Sequence, residues 1–425
     1  MTGSSVDAST LARGALDWLV ASAVATESGQ GWPEVRSGGE LDPTLYSGAA
    51  GIVLALLEGH RDFDDPRYRE AALRGAGTVA AAVDEVEDCS LYFGLTGMAV
   101  ALRTVDEVLG DPSAGAAADR ALERVRARFD GQRWGELFEL LGGNAGIALG
   151  ALRAGDVDLA VTAVTPYLRR AERTPGGVHW EHRSGVVARL HHISHGTLGI
   201  VYALAAVGHA AGRSDLTEMA LAGAADVVAR DEAGPDGFLV PHSDPQHRPE
   251  LIERYSFGWC HGPAGDAQVF RLLASVTSDP GWQVLADRCW HTVIHSGLPQ
   301  RLRPGFWDNN GRCCGTAGVL ALACDRYVER DGDLGFANVL VEDLASRAVV
   351  DADGVRWSNF EHRATPSSLE PRTGWAMGNA GIARELLRFA RIGAGRDPGY
   401  AVDWPDHPAA TSTATEPDRG GSFPD

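Results

Sequence analysis

Lysine is absent from this sequence, so all 38 of its basic residues are arginines. Together with the abundance of alanine and glycine, this bias indicates GC-rich codons and hence a bacterial source. The arginines are outnumbered by 57 acidic residues, which gives a net charge of −19 at pH 7. Because nucleic acids and anionic membrane surfaces are recognised by clustered positive charge, this balance argues against both as partners.

Long apolar runs are also missing. The sequence has no run of about eighteen apolar residues, and its first residues, MTGSSVDAST, lack the charged and apolar regions of a secretory signal. We therefore expect a cytoplasmic protein that does not insert into membranes. Six cysteines in 425 residues are too few for a disulfide scaffold, and a reducing compartment keeps them as thiols. The cysteines are then expected to serve packing or metal binding.

A G-x-x-G unit followed by a mostly apolar stretch occurs seven times, at intervals of 46 to 66 residues. The first glycines of the units are Gly48, Gly94, Gly143, Gly196, Gly262, Gly315 and Gly378. Each interval has room for two helices and two loops, and each apolar stretch is typical of a helix buried inside an assembly. The stretches are predicted to be seven inner helices. The glycines are expected to permit positive φ and close approach of the loops.

Seven amphipathic segments, with arginine and carboxylate side chains on one face, complement the inner helices. They span residues 8–25, 66–83, 115–129, 157–172, 215–230, 281–296 and 335–348. Strand-like alternation is confined to short pieces such as residues 237–241. The pattern predicts an all-α fold, an (α/α)7 toroid of seven helical hairpins that forms a single domain over residues 1–402. Residues 403–425, rich in Pro, Ser, Thr and Asp, are predicted to be disordered.

Chemically active side chains precede the first glycines of four units. They are Glu139, His195, Cys260, Cys313 and Cys314. Because the repeated unit places these positions at one end of the inner ring, we expect them to face one central cavity. Three cysteines are suitable ligands for tetrahedral zinc with one open position, and an open position implies catalysis or substrate binding. A single buried cysteine is more often a small apolar residue, but three at repeat-related positions favour a metal site.

These units, with SHG, WCHG and RCCG in the fourth, fifth and sixth, resemble the lanthionine synthetase C cyclase family over residues 8–395. The resemblance implies an α/α toroid with a central zinc ion. It also implies an enzyme that adds a cysteine thiol of a ribosomally made peptide to dehydroalanine or dehydrobutyrine, forming (methyl)lanthionine thioether rings. The expected partners are a dehydrated precursor peptide and a separate dehydratase or kinase/lyase enzyme.

The resemblance assigns a role to each cysteine of the proposed site. Cys260 and Cys313 match zinc ligands, and Cys314 stands where many members have histidine. One Zn²⁺ per chain is therefore expected. Three thiolates would leave the centre with a negative formal charge, so a substrate thiolate bound there would be a stronger nucleophile.

Four further residues are catalytic candidates, three of them by the same resemblance and His261 by its position directly after Cys260. His195 matches the catalytic histidine, which either protonates the enolate at Cα or takes the proton of the incoming thiol. Glu139 stands where the family often has aspartate, and it either orients His195 or serves packing and capping. His261 is expected to contact the ligands or the substrate. Arg254 lies near the place where the family tends to have an arginine.

Other functions remain open at this point. A related zinc protein could bind glutathione or another thiol, add it to dehydrated residues, or serve as a non-catalytic binding module. An α/α-toroid carbohydrate enzyme would instead need paired carboxylates across the cavity. Only Glu139 offers a carboxylate at the special positions.

Overall fold

The structure is a computed structural model that describes residues 7–250, 252–300, 309–330, 332–359 and 369–404. Within these ranges the chain forms fourteen helices joined by loops with a few short strands, which confirms the predicted all-α class. None of the helices in the described part has the length and apolar character needed to cross a membrane.

Seven helices form an inner ring, and each begins directly after the first glycine of a G-x-x-G unit. They are α2 (Ala49–Phe63), α4 (Leu95–Leu109), α6 (Asn144–Arg153), α8 (Thr197–Ala211), α10 (Pro263–Thr277), α12 (Thr316–Arg330) and α14 (Asn379–Gly393). Eleven of the fifteen residues of α8 are buried, so this helix is enclosed on nearly all sides. The apolar stretches thus form helices because their burial against neighbours replaces the amphipathic stripe of a surface helix.

The amphipathic segments form the outer ring. Its helices are α1 (Ala8–Ser22), α3 (Pro66–Ala82), α5 (Pro112–Ala127), α7 (Val157–Arg170), α9 (Ser214–Val228), α11 (Pro280–Ile294) and α13 (Gly335–Arg347). Three of them begin with an Asp-Pro pair that is a strong start signal. At one such start the Asp65 side chain accepts a hydrogen bond from the Arg67 N–H at 3.0 Å, and Pro66 occupies the first helical position.

Each inner helix from α2 to α12 packs against the outer helix that follows it, and neighbouring inner helices contact one another in chain order. The seventh hairpin is different, because α14 packs against α1 from the opposite end of the chain. Contacts between α14 and α2 complete the inner ring. The predicted toroid of seven hairpins is therefore closed by its first and last helices.

Ten short strands within the described ranges form five antiparallel pairs in the loops. They are β1 (Val24–Thr26), β2 (Gly29–Gly31), β3 (Pro33–Val35), β4 (Gly38–Leu41), β5 (Glu172–Arg173), β6 (Val178–His179), β7 (Arg189–Leu190), β8 (Ser243–Asp244), β9 (Val349–Asp351) and β10 (Gly354–Arg356), each odd-numbered strand pairing with the next. The strand-like piece predicted at 237–241 is wrong. There the N–H groups of Phe238 and Leu239 donate to the Thr292 hydroxyl and the Asp231 carboxylate, so side chains take the place of a partner strand.

Close approach, and not positive φ, explains the glycines of the units. Gly262, which precedes α10, has φ −168°, an extended conformation open to any residue. A Cβ at Gly265 would lie 1.9 Å from the carbonyl oxygen of Trp259. A Cβ at the second glycine of each of the other six units would lie at a similar distance from a loop carbonyl oxygen. The expectation of positive φ at these positions is therefore wrong, whereas the expected crowding is confirmed.

The segment after α14 folds back into the toroid. The N–H groups of Ala401 and Val402 donate to Glu58 Oε1 at 2.8 and 3.2 Å. Trp404 is buried, stacks on Trp375 with ring centroids 4.5 Å apart, and is thus part of the core although we predicted it to be disordered. Residues 405–425 of the predicted tail lie outside the described residues.

Trp404→Ala should therefore destabilise the protein by about 3–5 kcal/mol, the usual range for removing a buried tryptophan. Denaturant unfolding followed by circular dichroism measures this loss. Trp282→Ala, at a partly exposed position on α11, is the control and should cost less. An unchanged free energy of unfolding in Trp404→Ala would show that the segment does not stay in the core.

Candidate functional site

Three cysteine side chains meet at the N-terminal ends of the inner helices. The sulfur atoms of Cys260, Cys313 and Cys314 all lie within 4.8 Å of one another, and each residue is at most 2% exposed. The Sγ atoms of Cys260 and Cys314 are 3.2 Å apart, and those of Cys314 and Cys313 are 3.4 Å apart. We refer to these three residues as the cysteine cluster. It brings together the three cysteines that the sequence pointed to as ligands.

The donor set of the cysteine cluster fits a thiophilic metal ion. Two sulfur ligands at the corners of a tetrahedral zinc site are about 3.8 Å apart, given Zn–S bonds of about 2.3 Å. The observed separations of 3.2 and 3.4 Å, with all three sulfurs within 4.8 Å, are close to this spacing. Among the described residues this is the group of side chains suited to hold a metal.

Electrostatics gives a second reason for a cation here. Hydrogen bonds from the thiols of Cys260 and Cys314 lower the pKa of the Cys313 thiol, whereas burial raises the pKa of both donors. Without a metal, the cluster therefore favours one shared thiolate, because further ionisation would place like charges side by side in a buried site. A divalent cation removes that repulsion and allows all three sulfurs to be thiolates.

A ring of main-chain hydrogen bonds holds the loops that carry the site. The position two residues before the first glycine of each unit is occupied by Tyr46, Tyr92, Leu141, Ser194, Cys260, Cys313 and Ala376. Each N–H donates to the carbonyl of the next unit at six of the seven junctions, at 2.8 to 3.3 Å: Tyr46 to Tyr92, Tyr92 to Leu141, Ser194 to Cys260, Cys260 to Cys313, Cys313 to Ala376 and Ala376 to Tyr46. We call this arrangement the loop ring. The loop ring fixes the main chain of Cys260 and Cys313 relative to the other five units.

The seventh junction, between Leu141 and Ser194, has no such bond in the described structure, and Glu139 lies there instead. The Leu141 N–H donates to Glu139 Oε2 at 2.6 Å, and the Gly142 N–H donates to Oε1 at 3.0 Å. The same Oε2 atom is 3.3 Å from Nδ1 of His195, the residue after Ser194. The carboxylate thus occupies the gap in the loop ring and joins the third and fourth units through His195.

His195 is the accessible member of this pair. Its side chain is 35% exposed, whereas that of Glu139 is fully buried. Burial by itself would lower the pKa of His195, but the Glu139 carboxylate outweighs this effect and the pKa lies above its ordinary value. With Nδ1 facing Glu139, Nε2 is the ring nitrogen left to exchange a proton with another molecule.

His261 directly follows Cys260 in the chain and packs against His195. Its ring stacks on that of His195 with centroids 5.4 Å apart. The Ser194 hydroxyl donates to the Cys260 carbonyl at 2.7 Å and lies 3.2 Å from His261 Nε2. Because the hydroxyl proton is already used, Nε2 must be the donor in the second contact, which defines the tautomer of His261. Burial lowers the pKa of this imidazole well below its ordinary value.

Arg254 is placed differently from the other candidates. Its side chain is half exposed, its Nη2 atom is 2.6 Å from Glu232 Oε1, and its Nε donates to the Tyr255 hydroxyl. Its described side-chain contacts include neither the cysteine cluster nor His195. The buried arginine next to the cluster is Arg312, which lies over the rings of Trp259 and Trp375. The sequence signal that we did not use is its position directly before the cysteine pair.

Tyr46 is a further site residue that sequence reasoning missed. Its hydroxyl donates to Cys313 Sγ at 3.4 Å. The available signal was its position, since Tyr46 stands two residues before its glycine just as Cys260 and Cys313 do. Repeat positions alone, however, do not reveal that a side chain of the first unit reaches past the seventh unit to the sixth.

Comparisons with known proteins agree with this architecture. The family model described as "Lanthionine synthetase C-like protein" matches residues 39–240 and 244–341, more than two thirds of the chain. The solved structure of nisin cyclase is similar with a TM-score of 0.60 and 17% sequence identity, covering 83% of this chain and 90% of that chain.

A weaker similarity is found to an alpha-1,6-mannanase from Salegentibacter sp. HEL1_6. It has a TM-score of 0.48 and 11% identity, and covers 91% of this chain and 99% of that chain. A search of the curated proteins finds no match. The extent of the match to the family model decides the assignment. This chain belongs to the lanthionine synthetase C-like protein family.

Proposed function

We propose that this protein is a zinc-dependent cyclase that forms thioether rings in a dehydrated peptide. The observation that carries the proposal is the position of the cysteine cluster within one ring of loops that also carries the His195–Glu139 pair. Thiolate ligands, an accessible imidazole and a carboxylate are the groups that addition of a thiol to an activated alkene requires.

The reaction adds the S–H bond of a peptide cysteine across the carbon–carbon double bond of dehydroalanine or dehydrobutyrine. The sulfur bonds to Cβ, the electron pair of the double bond moves to form an enolate, and a proton is delivered to Cα. Atoms and electrons balance without an oxidant or reductant. Zn²⁺ held by Cys260, Cys313 and Cys314 would lower the pKa of the substrate thiol so that it reacts as a thiolate.

His195 is assigned the proton transfer. Glu139 holds Nδ1 and stabilises the imidazolium form, so Nε2 can deliver a proton to the enolate carbon. The partial exposure of His195, in contrast to the buried sulfurs, supports an approach of the peptide from the side of His195. His261 stacks on the His195 ring and thereby supports its position.

Glu139 provides a test of this assignment. In Glu139→Gln the amide must turn an N–H donor towards one of the two main-chain N–H groups, and the charge beside His195 is lost. We expect a rate of ring formation about 10- to 100-fold lower, with zinc content unchanged. The carboxylate raises the pKa of His195, so its removal should lower that pKa and move the high-pH limb of the rate profile to lower pH.

Glu139→Asp is the companion variant. The shorter side chain cannot reach both N–H groups and His195 together, so it should also be slower while its charge maintains the raised pKa better than glutamine does. Wild-type rates in both variants would make Glu139 a purely structural residue.

The function itself is tested with a dehydrated peptide that contains one cysteine, incubated with the zinc-loaded protein. Ring formation removes the free thiol without changing the mass of the peptide, which alkylation and mass spectrometry detect. Adding glutathione to the same reaction distinguishes the alternative, because external addition yields a peptide whose mass has increased. No loss of thiol and no adduct with any dehydrated peptide would favour a binding module.

A further inference from the structure

Tyr46 lies against the cysteine cluster but belongs to a distant part of the chain. Its hydroxyl donates to Cys313 Sγ at 3.4 Å, across 267 positions of sequence. The side chain reaches past the seventh unit, where the equivalent position is Ala376. The contact thus crosses two junctions of the toroid.

The position of the Tyr46 ring is well determined. The Tyr46 N–H donates to the Tyr92 carbonyl, and the Tyr46 carbonyl accepts from the Ala376 N–H, each at 2.9 Å. Aromatic rings surround the phenol: Phe93 lies 5.1 Å away and Trp375 lies 6.5 Å away between ring centroids. Main chain and ring are therefore both held, so the hydroxyl is aimed at the sulfur with little entropic cost.

We propose that Tyr46 is a positioning residue of the metal centre. Its hydroxyl donates a hydrogen bond to the sulfur of the Cys313 ligand. The inference rests on the proposed zinc site. A centre with three thiolates has a negative formal charge when it holds Zn²⁺, and a second negative charge arrives with a substrate thiolate. A neutral O–H donor stabilises that charge without competing for the metal, and it fixes the orientation of the sulfur lone pairs.

The hydrogen bond gains importance when the metal is bound. In the metal-free cluster the thiols donate to one another, as Cys314 does to Cys313. Once all three sulfurs are thiolates these S–H donors are gone, while the Tyr46 hydroxyl remains a donor. Loss of such partners behind a metal ligand typically lowers metal affinity about 10- to 100-fold.

Tyr46→Phe keeps the ring and removes the donor. We expect chelator competition to show zinc affinity about 10- to 100-fold below that of the wild type. In the cobalt(II)-substituted protein, the thiolate-to-metal charge-transfer band should move to longer wavelength, because a sulfur without its hydrogen bond holds its electrons less tightly. Neither measurement depends on ring formation.

Tyr92→Phe is the matched control. Tyr92 holds the equivalent position in the second unit, but its hydroxyl accepts from Trp404 Nε1 at 3.3 Å. The Tyr92→Phe protein should retain wild-type zinc affinity and the wild-type cobalt spectrum. Unchanged affinity and spectrum in Tyr46→Phe, with a wild-type protein that binds metal, would overturn this role for Tyr46 alone. A wild-type protein that binds neither zinc nor cobalt would overturn both this role and the proposed function.

Discussion

Replacing Cys313 and Cys314 together with alanine is expected to reduce the zinc content from about one ion per chain to nearly none. A single remaining thiolate, that of Cys260, cannot hold Zn²⁺ in a site that otherwise offers three sulfurs within 4.8 Å of one another. Elemental analysis of the purified protein, before and after dialysis against a mild chelator, measures this loss. Ring formation should disappear with the metal.

Cys324→Ala is the control for this experiment. Cys324 is as deeply buried as the cluster, but it lies within α12 and is not among the three grouped sulfurs. The Cys324→Ala protein should keep its zinc and lose some stability because of the smaller side chain. Full zinc retention in the double variant would mean that the metal site is misassigned.

His195→Ala is expected to lower the rate of ring formation by about 10²- to 10⁴-fold, the usual contribution of a general acid or base. Zinc content and the circular dichroism spectrum should stay unchanged, because the imidazole is partly exposed and its Nδ1 faces Glu139 and not the cysteine cluster. Rate measurements by thiol alkylation, beside elemental analysis of the same samples, separate the two effects.

His209→Ala is a suitable control, since His209 lies on α8, the helix that begins two residues after His195, but at its exposed C-terminal end. It should retain the wild-type rate. Loss of zinc in His195→Ala would instead identify His195 as a fourth ligand, which would close the centre to substrate and remove its role in proton transfer.

The helical architecture was predictable from the sequence because each helix carries its own local signal. One outer helix is an example: its amphipathic pattern predicted residues 281–296, and the structure has Pro280–Ile294. The inner helices were predictable because full burial requires an apolar stretch and the glycine unit marks each start. The strand-like alternation at residues 237–241 was misleading, since the hydrogen bonds that replace strand pairing come from the side chains of Thr292 and Asp231.

The site was predictable only in part. The cysteine cluster and the His195–Glu139 contact follow from positions in the repeat, which the fold converts into proximity. Tyr46 did not follow, because its hydroxyl reaches Cys313 across an intervening unit, and reach between units is a property of the assembled ring. Arg254 illustrates the opposite case. The resemblance to the family suggested a role in the site, whereas its side chain contacts Glu232.

The pairing of α1 with α14 also has a consequence for biosynthesis. The first helix leaves the ribosome long before its partner, since Ala8–Ser22 and Asn379–Gly393 lie at opposite ends of the described chain. Until α14 is made, α1 lacks the partner with which it makes its most extensive contact in the finished protein. Closure is thus a late event with a high loop-closure entropy. A circular permutant that joins the present ends and opens between α1 and α2 would instead place both closing helices side by side in the newborn chain.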